Sequence, residues 1–289
     1  MYEADLVFAS GEGNFLPLVD VWIVIDVLRA TTVITRWFEL GGTELYPVKT
    51  PDEARKLVLE LKDRGSSPLL MGEINGLRPE GFDLGNSPTD LTYELIQEHY
   101  CGVMSTTNGT VALNEAVMSG SPVIASSFRN FSACLDYALK LGNKIGFLCS
   151  GRKKRPSWED TLCAGAMLEK LNRNNEVSMS DSANIALTLW RGRGENLLEF
   201  VKQSNHAKYL ATINYSHDVK FACECDVSTV VPMLEDDNKG HIILRSVSGS
   251  ARPYHQGHEF IKPDARIEEN NNFTKKDPFE ELLSYVKKR

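Results

Sequence analysis

The run Val21-Trp22-Ile23-Val24-Ile25 is the feature that most constrains the fold. It has no polar position and no period-two alternation, so a strand made of it is buried on both faces. Such a strand needs helices on each side of its sheet, and helical patterns follow it. One spans about Thr32 to Leu40 and stops at Gly41-Gly42. After a short strand, Leu45-Tyr46-Pro47-Val48, comes a better-signalled helix: Thr50 is its cap, Pro51 its first residue, and Glu53 completes a capping box. Ala54, Leu57, Val58 and Leu61 form its apolar stripe, and Gly65 ends it.

The same rhythm continues. Strand patterns at Leu69-Leu70-Met71, Gly102-Val103-Met104, Pro122-Val123-Ile124-Ala125 and Lys144 to Cys149 alternate with helix starts. Those starts are Ser87-Pro88-Thr89-Asp90, Ser105 to Thr110, Asn130, and Ser157-Trp158-Glu159-Asp160. This alternation predicts a three-layer α/β/α fold on a mostly parallel or mixed sheet. Beyond Leu171 the chain turns helical and more polar, with strand signals again at 228–232 and 241–247. The expected organisation is one α/β half over residues 1–142 and a related half over 143–247. Residues 248–289 read as a polar tail with one weak helix near 279–286.

Composition removes several function classes. The net charge of -7 disfavours non-specific nucleic-acid binding, which relies on neutralising phosphates. No apolar run approaches the ~20 residues of a membrane span, and the first residues carry no signal-peptide pattern. The 6 Cys are scattered rather than framed, which predicts reduced thiols in a cytoplasmic protein.

In a parallel α/β sheet, ligands bind outside the carboxyl ends of the strands. Polar segments gather there: Asp26 to Thr32, Gly72 to Gly76, Ser105 to Thr110, and Cys149 to Asp160, joined by the Gly-rich loop Gly81 to Pro88. Asp26, Glu73, Asp83, Glu159 and Asp160 offer oxygen ligands for a hard cation such as Mg²⁺. Arg29 can clamp an oxyanion through its fork. Thr31, Thr32, Asn86, Ser87, Thr106, Thr107, Asn108, Gly109 and Thr110 lie at helix starts or in the loop before one, where donors suit a tetrahedral anion. Each of these also has a plain reading as a cap, and Glu159 and Asp160 are favoured in a first helical turn by the dipole alone. Asp26 differs, because a charge directly after a fully apolar strand needs a partner or a metal.

Four segments, taken in order, resemble the 2-phosphosulfolactate phosphatase family. They are Asp26-Val27-Leu28-Arg29-Ala30-Thr31-Thr32, Gly81-Phe82-Asp83-Leu84-Gly85-Asn86-Ser87-Pro88, Thr106-Thr107-Asn108-Gly109-Thr110 and Glu159-Asp160-Thr161. A weaker stretch runs from Ser204-Asn205-His206 through Asp218 to Ala222, and the likeness extends to about Pro232. The resemblance implies a Mg²⁺-dependent hydrolase with two related α/β/α halves. Its reaction would convert 2-phospho-3-sulfolactate to 3-sulfolactate and phosphate, a step towards coenzyme M. A homodimer is the default assembly.

Other chemistries compete. An Asp at the end of an apolar strand also occurs in haloacid-dehalogenase phosphatases, but their second Asp, two residues on, is replaced here by Leu28. Cys149 and Arg155 have the Cys-x₅-Arg spacing of cysteine phosphatases. The basic loop between them reads first as a solvated surface turn, with an extra anion clamp as the alternative. A non-catalytic binder of a sulfonate or phosphate would have little use for acids beside its ligand. Cys223 and Cys225 read as alternating Cys on a strand rather than a zinc site, since no second pair follows.

Overall fold

A computed structural model of the chain describes residues 1–11, 16–237 and 239–247. The expected tail and its helix near 279–286 lie outside these residues. In chain order the first elements are β1 (Tyr2–Val7), β2 (Val21–Ile25), α1 (Ala30–Glu39), β3 (Glu44–Val48), α2 (Pro51–Asp63), β4 (Leu69–Gly72), α3 (Tyr93–Glu98) and β5 (Cys101–Ser105). Next come α4 (Gly109–Val117), β6 (Val123–Ser126), α5 (Phe131–Leu141), β7 (Lys144–Cys149), α6 (Trp158–Asn174), β8 (Val177–Met179) and α7 (Asp181–Arg193). The short helices α8 (Leu197–Val201), α9 (Asn205–Thr212) and α10 (Ser216–Ala222) lead to the strands β9 (Pro232–Asp236) and β10 (Ile242–Ser246).

The apolar run forms β2, and every residue of it is buried. Val21, Ile23 and Ile25 enter one core with Phe131, Leu135, Leu162 and Met167 from α5 and α6. Trp22 and Val24 enter the opposite core with Val33, Trp37 and Leu113 from α1 and α4. Each such side chain contributes about 1.5–3 kcal/mol through burial, so both faces of β2 hold helices against the sheet. This is the predicted α/β/α layering.

One sheet has the strand order β4-β5-β3-β10-β9-β6-β2-β7-β1-β8. β4, β5 and β3 are parallel to one another, as are β6, β2, β7, β1 and β8. The pair β9–β10 joins these blocks and is antiparallel to both flanking strands. Strands from residues 1–142 and 143–247 interleave, because β7 lies between β2 and β1. The expected boundary near Gly142 therefore divides no sheet.

Local signals hold with instructive shifts. Thr50 Oγ1 accepts from Glu53 N at 3.2 Å, while Glu53 Oε2 accepts from Lys49 N, one residue before the cap. Ser87-Pro88-Thr89-Asp90 reads as a helix start, but only a 3₁₀ turn forms at Pro88–Asp90. Thr92 caps α3 instead, accepting from Leu95 N, because Ser87 spends its hydroxyl on Asp218 Oδ1 at 2.7 Å. Cys223 and Cys225 are not on a strand: Cys223 closes α10 and Cys225 follows it in a loop. Among the described residues no helix is long and apolar enough to cross a membrane.

Candidate active site

Residues that follow β2, β4 and β5 line one small pocket of about 80 Å³. Asp26, Leu28 and Arg29 come from the end of β2, and Glu73, Asn75 and Gly76 from the end of β4. Thr106, Thr107 and Asn108 follow β5, and Asn86 comes from the Gly-rich loop. The basic loop after β7 adds Arg152 and Lys153, and α9 adds His206 and Tyr209. A larger cleft of about 630 Å³ adjoins it, sharing Arg152, Lys153 and His206 and adding Arg155, Glu159 and Lys208.

Asp26 is buried, and burial pushes its carboxyl up to about 6; His206 pulls it down and Glu73 adds to the rise. Asp26 Oδ1 accepts from Ala30 N at 3.3 Å, so the first turn of α1 holds it. Glu73 is fixed by two amides, Gly76 N on Oε2 at 2.5 Å and Thr107 N on Oε1 at 2.7 Å. That carboxylate ties the β4 loop to the β5 loop at the pocket wall. Asn86 Oδ1 is buried and has no hydrogen-bond partner among the described residues. A buried acceptor left unmade costs about 1–3 kcal/mol, so it is poised for a donor or a cation from the pocket.

Arg29 does not present an empty fork. Nη1 reaches Asp218 Oδ2 at 2.8 Å, Nη2 reaches the Gly76 carbonyl at 2.7 Å, and the guanidinium lies 4.4 Å from the Tyr215 ring centre. Arg29 thus brings positive charge to the pocket while binding α10 and the β4 loop to it. Asp218, which also accepts from Ser87 and Thr89, anchors this cluster from α10, within the weaker of the family-like stretches.

Several expected donors serve the scaffold instead. Thr31 Oγ1 donates to the Asp26 carbonyl and Thr32 Oγ1 to the Val27 carbonyl. Thr106 Oγ1 accepts from Thr110 N, so Thr106 caps α4 and Asn108, which makes no side-chain cap bond, remains on the pocket wall. Thr110 Oγ1 donates to the Thr106 carbonyl. Gly109 lies against Asp26: a Cβ there would come within 2.6 Å of Asp26 Oδ2. Ser87 is turned to Asp218, as described above.

The five acids separate in the same way. Asp26 and Glu73 line the pocket. Asp83 lies outside it, with Oδ2 accepting from Leu70 N at 2.8 Å. Asp160 accepts from Val27 N at 2.8 Å and Gly151 N at 3.1 Å, joining the ends of β2 and β7; burial and the charges of Asp26 and Glu159 hold its carboxyl well above the usual range. Glu159 lines the adjoining cleft, 3.4 Å from His206 Nδ1. Among the described residues no group of three or more His, Cys, Asp or Glu forms a metal cage. Mg²⁺ needs no such cage, since one or two carboxylates with waters and phosphate oxygens suffice. Asp26, Glu73 and the orphaned Asn86 Oδ1 are an all-oxygen set of that kind.

The cysteine alternative does not fit. Cys149 is fully buried, and burial with the nearby charges of Asp160 and Glu159 pushes its thiol well up, away from the reactive thiolate. The loop after it is no cradle, because Arg152 and Arg155 exchange backbone hydrogen bonds around Lys153 and Lys154, which have φ of 52° and 58°. Two positive-φ residues between paired neighbours make a tight primed turn. The turn delivers Arg152 and Lys153 to the pocket wall. His206 and Tyr209, three apart on one face of α9, lie in the weaker family-like stretch but carried no assigned role, because a polar helix gives no period to show which face meets a ligand.

A sequence model described as 2-phosphosulpholactate phosphatase matches residues 13–237. A probable 2-phosphosulfolactate phosphatase of Thermotoga petrophila is 38% identical over 212 residues, covering 73% of this chain and 88% of the relative. The protein of that description from Pseudothermotoga lettingae is 34% identical over 218 residues, covering 75% and 90%. That from Deinococcus radiodurans is 35% identical over 216 residues, covering 74% and 88%. The matched span contains every residue of the pocket.

Proposed function

The chain belongs to the 2-phosphosulpholactate phosphatase family, a family of phosphoric monoester hydrolases, and on that premise we propose that it hydrolyses 2-phospho-3-sulfolactate to 3-sulfolactate and phosphate with the help of Mg²⁺. The observation that carries this reading is the mixture of charges in one pocket. Asp26 and Glu73 face the same small space as Arg29, Arg152 and Lys153. Two carboxylates repel an anion unless a cation stands between them, so the arrangement suits metal-assisted phosphoryl chemistry better than simple anion capture.

Asp26 and Glu73 would hold the metal, and the buried acceptor Asn86 Oδ1 would add a third oxygen or take a donor beside them. Bound Mg²⁺ supplies charge neutralisation on the phosphoryl oxygens. Arg152 and Lys153 bring further positive charge to the phosphoryl group, and Arg29 fixes the wall that faces it. Arg155 and Lys208 line the adjoining cleft, which has room for the sulfonate and carboxylate of the substrate. All six Cys are unpaired, in keeping with a cytoplasmic enzyme, and the reaction would stand as a step towards coenzyme M.

The test is phosphate release from a panel of small phosphorylated acids, with Mg²⁺ and with EDTA. We expect release from 2-phospho-3-sulfolactate, its loss in EDTA and its return on adding Mg²⁺. Release unaffected by EDTA would remove the metal from the reading, and release from no member of the panel would remove the substrate.

A further inference from the structure

His206 occupies a position the reading above does not use. It lines both the small pocket and the cleft beside it, so it stands where the phosphoryl group would join the rest of the substrate. Ser204 caps α9 by accepting from Ala207 N at 3.1 Å, which fixes the first turn that carries His206. Glu159 Oε1 lies 3.4 Å from His206 Nδ1, and Glu159 is itself almost wholly buried. Its other oxygen, Oε2, is buried and has no hydrogen-bond partner among the described residues. A buried carboxylate oxygen left unpaired is costly, and the imidazole is the polar group that stands beside this carboxylate. A carboxylate against Nδ1 sets the tautomer and ring orientation and leaves Nε2, across the ring, for the pocket. A separation of 3.4 Å is long for a made hydrogen bond, and catalytic pairs commonly tighten only when substrate is bound.

We propose that His206 is the catalytic acid that protonates the leaving-group oxygen, and that Glu159 is the positioning residue that holds its ring for that transfer. The inference rests on the phosphatase reading. As the phosphorus–oxygen bond of the ester breaks, its electron pair goes to the bridging oxygen, which takes the proton from His206 Nε2 and departs as the alcohol. The water oxygen that becomes bonded to phosphorus keeps one proton as the phosphate hydroxyl. Its other proton returns to His206, so the enzyme is restored and atoms and charge balance. Glu159 is the carboxylate beside the imidazole and Asp26 interacts with it through charge, while Arg29, Glu73, Arg152, Lys153 and Tyr209 share the pocket with it and Arg155 and Lys208 share the cleft. An alkoxide is a poor leaving group, and a positioned proton donor is worth about 10²–10⁴-fold for it.

The experiment compares 2-phospho-3-sulfolactate with its bridging-sulfur phosphorothiolate analogue, whose thiolate leaves without a proton. Wild type, His206→Gln and Glu159→Gln are assayed on both, each with Mg²⁺ present. We expect His206→Gln to lose at least about 100-fold in kcat on the oxygen ester and less than tenfold on the sulfur ester. Glu159→Gln should show the same selectivity with a smaller loss. Activity of either variant on the sulfur ester also shows that it folds. Equal losses on both esters would overturn the proton-donor role while leaving the phosphatase reading intact. A wild type that cleaves neither would overturn that reading and this inference with it.

Discussion

Arg29 Nη1 lies 2.8 Å from Asp218 Oδ2, two buried charges brought together across 189 residues of chain. The pair fastens α10 to the end of β2. It gives Arg29 a structural duty beside the electrostatic one, because the same guanidinium holds the Gly76 carbonyl of the loop that carries Glu73. Breaking a buried pair from one side leaves an uncompensated charge, which costs about 3–5 kcal/mol.

Asp218→Ala should therefore lower stability by about 3–5 kcal/mol, read from the urea midpoint at constant slope. Arg29→Lys keeps the charge but cannot span Asp218 and Gly76 together, and it loses the face packed on Tyr215. A stability loss of about 1–3 kcal/mol is expected there, with a fall in kcat/KM. An Arg29→Lys protein as stable as wild type would mean that the fork does not bind α10 to the site.

Asp26 ties stability to pH in an unusual direction. Its carboxyl is lifted from 3.8 to about 6, chiefly by burial. Between those values the folded state holds a proton that the unfolded chain has lost, so stability falls as pH rises through the window. Asp26→Asn removes that penalty. In metal-free buffer the variant should be more stable than wild type at pH 8 by about 1–3 kcal/mol, with the difference fading near pH 4. It should also be inactive. Thermal midpoints at the two pH values check the first point and phosphate release the second; a variant less stable than wild type at pH 8 would contradict the burial argument.

The parts of the fold legible in sequence were those set by short-range physics. An unbroken apolar run gave β2, and Thr50-Pro51 with Glu53 gave α2. β1 escaped because Glu3 and Asp5 face outward and only Ala4 and Leu6 of its six residues are buried, too little apolar pattern to mark a strand. β8 has three residues and no fully buried one. In the site, Asp26 stood out because its charge follows that apolar run. Glu73, Asn86 and Asn108 could be collected by their place at strand ends or in the Gly-rich loop. Asp83 and Ser87 have the same residue types in the same motif, yet their partners, Leu70 N and Asp218, turn them away. The Asp218 contact spans 131 residues, and no local rule reports it. His206 lies in the weaker family-like stretch, but its place on the pocket wall is set by neighbours equally remote in the chain.

Gly109 makes the closest demand on space in the site. Its backbone φ is one that other residues adopt, so what fixes glycine here is room. A Cβ would stand 2.3 Å from Ala30 Cβ and 2.6 Å from Asp26 Oδ2. The first contact presses α4 against α1, and the second presses directly on the carboxylate that faces the pocket. Gly109→Ala must either part the two helices or swing Asp26 off the Ala30 amide, and overpacking of this kind costs about 1–3 kcal/mol. A shift near 1 Å in a reacting group lowers rate by about 100-fold, so phosphate release should fall by at least that factor in protein that remains folded at assay temperature. The matched control is Gly192 in α7, where an added Cβ meets nothing within 4 Å. Gly192→Ala should leave activity unchanged and raise stability by about 0.4–1 kcal/mol by restricting the unfolded chain. If Gly109→Ala proved as active as Gly192→Ala, the position of Asp26 would not depend on its contact with α4.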